Sequence, residues 1–166
     1  TLAQVVGRRK GYAYVTFDDA VTREAATTDP IGFVADLPGR VILDEVQHMP
    51  KLFATIKMAI DRNREPGRFV LTGSANVLLL PKLADSLAGR MAVLRLHPLA
   101  QCELAREAPD FIERLFGQGF KMQSYERLAT ELTDRICAGG YPAGLALPTS
   151  RRRARWYVDY LDTIVQ

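Results

Sequence analysis

Two uninterrupted apolar runs constrain the fold of this chain most. Val41-Ile42-Leu43 ends in Asp44-Glu45, and Phe69-Val70-Leu71 ends in Thr72-Gly73-Ser74. A strand with one wet face alternates apolar and polar residues; a continuous run belongs to a strand covered on both faces, as in a parallel sheet between helices. Two further runs are predicted as strands: Tyr12 to Phe17, ending in Asp18-Asp19, and Met91 to Leu96, ending at His97-Pro98. Between the second and third strands, Lys51 to Arg64 sets Leu52, Ile56, Ala59 and Ile60 on one helical face. Pro50 precedes that helix and Pro66-Gly67 closes it. Strands alternating with helices predict an α/β fold with a parallel, doubly wound sheet. The polar strand ends then gather at its carboxyl edge, where open α/β sheets bind ligands.

Beyond Pro98 the pattern changes. Residues 99–146 read as mostly helical, with pieces at Glu103–Glu107, Phe111–Phe116 and Tyr125–Ala138, and Gly139-Gly140-Tyr141-Pro142 breaks the run. A last helix starts near Ser150 as N-cap and lines up Tyr157, Tyr160, Leu161 and Ile164. The expected organisation is a core over residues 1–98, a helical subdomain over 99–149, and a helix from 150 to 166 leading towards a further domain.

Composition narrows the class. The 166 residues are 48% hydrophobic and 25% charged, far from the composition of disordered chains. A net charge of +3 is too small to argue for nucleic acid by itself. No apolar run reaches the ~18 residues of a membrane span, and no signal-peptide pattern opens the chain. Cys102 and Cys137 match no metal or redox spacing and read as buried thiols of a cytoplasmic protein.

The chemistry is concentrated at strand ends. Two adjacent carboxylates after a buried strand suit a nucleotide hydrolase, where the first, Asp44, holds Mg²⁺ through its water shell. The second, Glu45, orients or deprotonates the attacking water. The plainer reading is a polar strand terminus. One helix later, Thr72, Ser74 and Asn76 offer a hydroxyl or amide that donates to phosphate and accepts from water; the plainer reading is a turn with a Ser-capped helix. Arg90, beside Gly89 before the expected fourth strand, suits a phosphate contact within its own subunit or a neighbour's, or a solvated loop. No Gly-x-x-x-x-Gly-Lys-[Ser/Thr] loop occurs in the chain. Thr1 to Val6 reads as the helix that follows such a loop, with Thr1 at its exit, so the chain reads as a piece cut just after the phosphate loop and again within the helix at Gln166.

The blocks Tyr14 to Asp19, Val41 to Gln47, Pro66 to Asn76 and Leu87 to Arg90 together resemble a prokaryotic family of AAA-type P-loop ATP-binding proteins. In that family the ATPase domain is followed by a C-terminal domain of unknown function. Gly139 to Pro142 and Arg151 to Tyr157 resemble the approach to that second domain. The resemblance implies a P-loop NTPase-like core whose first strand and phosphate loop are missing here, with ATP and Mg²⁺ as ligands. Asp44 then takes the metal role, Glu45 the water role, Thr72, Ser74 or Asn76 the sensor role, and Arg90 the place of a family arginine. Gln47 follows the acidic pair in the family too. The implied function is Mg-dependent ATP hydrolysis coupled to movement of a second domain. The alternative is a nucleotide-fold module that recognises DNA or a protein without turnover, and a nuclease centred on Asp44 and Glu45 ranks last.

The basic clusters Arg8-Arg9-Lys10 and Arg151-Arg152-Arg153 with Arg155 read as solvated faces before phosphate contacts. His48 and His97 lack a ligand pattern. Trp156, Tyr157 and Tyr160 read as a stripe facing another domain, with self-association or a disordered tail expected where that domain is lacking.

Overall fold

The computed structural model describes residues 2–73, 87–117 and 129–165. These divide into two compact units, one ending at Val93 and the other starting at Leu94.

In the first unit, α1 (Leu2–Arg9) leads into β1 (Ala13–Thr16), followed by α2 (Ala20–Thr28), α3 (Pro30–Ala35), β2 (Val41–Asp44), a 3₁₀ turn (Val46–His48), α4 (Leu52–Arg62) and β3 (Phe69–Leu71). The caps are local. Asp19 accepts the Thr22 amide at 2.9 Å to start α2. Asp29 accepts the Gly32 amide at 2.9 Å to start α3, whose first residue is Pro30. The three strands are parallel in the order β1-β2-β3, with Thr16 opposite Asp44 and Leu43 opposite Leu71.

The central strand explains its own sequence. All four residues of β2 are buried. Val41 and Leu43 point into a core of Phe17, Val34, Leu52, Phe53 and Ile56. Side chains alternate along a strand, so Ile42 faces the other way. It meets α1 at Gly7, where a Cβ would come within 2.2 Å of Ile42 Cδ1. Helices therefore cover both faces, and an apolar run without alternation is what such a strand requires.

The expected fourth strand does not form. Residues 91–96 run without regular structure, with Leu94 and Leu96 94% and 81% exposed. Val93 is the run's only β-branched residue, and strand preference is realised only where a sheet edge accepts the run.

The second unit holds α5 (Gln101–Ala105), α6 (Phe111–Phe116), α7 (Ala129–Ala138), α8 (Pro142–Leu145) and α9 (Ser150–Val165). The helix expected at 103–107 begins two residues earlier, and the start of the one expected at 125 lies outside the described residues. Thr149, not Ser150, caps α9: its hydroxyl accepts the Arg152 amide at 3.3 Å. Trp156 and Tyr160 stack at 5.1 Å, and Tyr141 lies 5.2 Å from Tyr160 and 5.9 Å from Trp156. Tyr157 donates to the Ala138 carbonyl at 2.9 Å. The aromatic stripe expected to face another domain is thus packed against Tyr141 of its own unit. Arg153 turns inward to the Gly144 carbonyl at 3.3 Å, and Arg155 pairs with Asp159 at 2.9 Å. Cys102 is half-buried and Cys137 exposed, and neither forms a disulfide; the expectation of two buried thiols is corrected for Cys137. No described helix is long and apolar enough to cross a membrane.

Candidate functional site

The site stands at the carboxyl edge of the sheet, where β2 ends. Asp44 shares the face of Ile42 and is 6% exposed. Its neighbours across the ladder hold it from both sides. Thr72, one residue past β3, donates its hydroxyl to Asp44 Oδ1. Tyr14 of β1 donates its hydroxyl to Oδ2. Backbone bonds fix the frame: the Thr72 amide donates to the Leu43 carbonyl at 2.9 Å, and the Phe17 amide to the Asp44 carbonyl at 3.0 Å. Burial by itself raises the pKa of the Asp44 carboxyl. The bonds from Thr72, Tyr14 and the Glu45 amide outweigh it and hold the pKa below its ordinary 3.8. Asp44 is therefore a buried, ionised carboxylate at neutral pH.

Glu45 follows in the left-handed conformation, φ 58° and ψ 43°. An L side chain there costs about 1–2 kcal/mol, and such residues cluster at functional sites. The kink ends the strand and opens the 3₁₀ turn, whose Val46 amide donates to the Thr72 carbonyl at 3.2 Å. The Gln47 side-chain amide donates to Glu45 Oε2. On the same edge, His48 Nε2 lies 3.8 Å from Asp18 Oδ1, both well exposed.

Asp44 and Thr72 are thus brought together, and Glu45 follows Asp44 directly with Gln47 as its side-chain partner. Ser74, Asn76 and Thr1 lie outside the described residues. Arg90 stands elsewhere. Its guanidinium is paired with Asp61, Nε at 2.7 Å from Oδ1 and Nη2 at 3.2 Å from Oδ2. Asp61 closes α4, which carries the chain from the carboxyl edge back to the amino edge where β3 begins. Sequence reading missed Tyr14. The two-residue period alone does not reveal it: the register across the sheet sets Tyr14 opposite Ile42 and so on the Asp44 face.

A three-stranded parallel sheet between helices, with a buried carboxylate and a second acid at the end of its central strand, is an α/β arrangement of P-loop NTPase type. The chain belongs to the AAA domain family, which matches residues 1–105. This family is one of nucleotide-binding ATPases that use ATP and Mg²⁺. The chain is similar to the uncharacterized protein Rv2008c of Mycobacterium tuberculosis, 33% identical over 167 residues that cover all of this chain and 32% of that protein. The uncharacterized protein Mb2031c of Mycobacterium bovis is similar to the same extent. The chain therefore spans about a third of the length of these curated relatives. No solved structure matches it significantly.

Proposed function

We propose that this chain carries the hydrolytic half of an ATPase site, working in a longer protein whose ATP turnover moves a second domain. The observation that carries the reading is Asp44, buried and ionised between two hydroxyl donors, directly before a strained Glu45. The donor chemistry fits a hydrated Mg²⁺. No group of three potential ligand side chains occurs among the described residues. Mg²⁺ needs none, because it keeps several waters and is completed by substrate phosphates. Asp44 would hold the ion's water shell, and the bound ion would neutralise charge on the phosphates. Thr72 and Tyr14 keep the Asp44 carboxylate ionised and aimed. Glu45 takes the proton of the attacking water as general base. Thr72, Ser74 or Asn76 takes the sensor role, and Thr1 a nucleotide contact.

Arg90 fits this scheme as a residue acting on a second copy. Its pairing with Asp61 holds it at the far end of α4, away from its own Asp44. A phosphate within its reach then belongs to a neighbouring subunit, which implies self-association. A DNA or protein target is engaged through the further domain, and the location is cytoplasmic. The reading is tested by Mg-ATP turnover in the full-length protein: turnover that depends on Glu45 supports it. Nucleotide binding without turnover favours the non-hydrolysing module.

A further inference from the structure

We infer that Gln47 is a positioning residue for Glu45, anchoring one carboxylate oxygen so that the other is aimed to take the proton of the attacking water. The inference rests on the hydrolase reading above. Gln47 donates from Nε2 to Glu45 Oε2. The amide must face the acid with its nitrogen, because a carboxylate only accepts hydrogen bonds and an amide oxygen turned towards it would repel it. Glu45 Oε1 has no hydrogen-bond partner among the described residues, so one oxygen is held while its twin is left to act. A base tethered at one oxygen keeps its direction, which is the condition for efficient proton removal.

Two features say that stability does not explain this glutamine. Its Oε1 is buried with no hydrogen-bond partner among the described residues. A buried acceptor without a donor costs folding stability, whereas an apolar side chain of similar size would not. Gln47 also sits two residues from Glu45, and side chains two apart do not face each other on a regular helix. Their contact depends on the left-handed backbone at Glu45, which is itself strained. A strained residue and an under-bonded amide serve one contact, and that contact fixes the acid.

In the step concerned, the water oxygen bonds to the γ-phosphorus and the bond from that phosphorus to the β–γ bridging oxygen breaks. The leaving diphosphate keeps the electron pair, and the water's proton passes to Glu45 Oε1. Gln47 exchanges no proton.

The test uses the full-length protein and two variants that keep the side chain's size, Gln47→Met and Gln47→Glu, with circular dichroism to verify folding. Both should lose kcat for Mg-ATP, on the order of tenfold to a hundredfold as for a misaimed base, while KM for ATP stays within about twofold. A readout without nucleotide accompanies it: urea midpoints of Glu45→Ala, Gln47→Ala and the double variant. The double variant should lose less stability than the two singles added, as for groups in contact. Unchanged or raised kcat in both size-matched variants, with turnover in the parent, would overturn the positioning role. Additive urea midpoints would overturn the contact. Absence of turnover in the parent would overturn the hydrolase reading, and this inference with it.

Discussion

Thr72 and Asp44 join the ends of two neighbouring strands: the threonine hydroxyl donates to the carboxylate while the threonine amide donates to the Leu43 carbonyl one residue earlier. A side-chain bond and a ladder bond therefore lock the same pair of strand ends. Removing the hydroxyl with Thr72→Val keeps the shape but leaves a buried carboxylate one donor short. The expected loss is about 1–3 kcal/mol of unfolding free energy, measured as a lower urea midpoint with unchanged slope.

The acid side of the stability curve carries the same relationship. The pKa of Asp44 is depressed in the folded protein, so its contribution is present above the ordinary value of 3.8 and lost as pH falls through the lower folded value. Urea midpoints measured from pH 6 down into the acid range should fall less steeply in Asp44→Asn than in the parent. Parallel curves would mean that Asp44 is not held by Thr72 and Tyr14.

Arg90 acting across subunits predicts complementation. Arg90→Ala and Glu45→Gln subunits should each be nearly inactive alone, yet regain part of the turnover when mixed. A mixed assembly presents some sites with an intact Glu45 beside an intact neighbouring Arg90. No recovery in mixtures shown to exchange subunits would return Arg90 to its Asp61 pair as a structural residue.

Gly140 lies against the backbone of Leu99 in the second unit. A Cβ there would stand 2.2 Å from the Leu99 carbonyl oxygen and 2.9 Å from the Leu99 nitrogen, both backbone atoms that cannot swing aside. The Leu99 amide also donates to the Gly140 carbonyl at 2.8 Å. Gly140→Ala should destabilise by about 1–3 kcal/mol through overpacking, read as a lower thermal midpoint.

What was legible in the sequence follows from how local its cause is. Val41 to Glu45 declared both a strand buried on two faces and its acidic end, because continuous apolarity and the Asp-Glu pair are both local. Thr72 could be read as lying near the pair, since one helix separates the two strand ends. Tyr14 could not, because its role depends on register across the sheet, and Thr16 opposite Asp44 is fixed by packing rather than by nearby residues. The run at residues 91–96 misled for the same reason: apolar residues show a preference for burial but not whether a sheet edge is there to receive them. Trp156 and Tyr160 announced a packing stripe, but Tyr141, against which they pack, lies on the far side of the short helix Pro142–Leu145 and the turn before Ser150, which the period of the last helix does not cross. The αL conformation of Glu45 left no trace in composition, since glycine rather than glutamate is the usual residue there.

The role of Glu45 as the base of an ATPase site organised by Asp44 is read from Mg-ATP turnover by the full-length protein beside its Glu45→Gln variant. A Glu45 base gives turnover in the parent, and in the variant retained ATP binding with kcat lower by on the order of a hundredfold, the size of a general-base contribution. Equal turnover in the two proteins would contradict it.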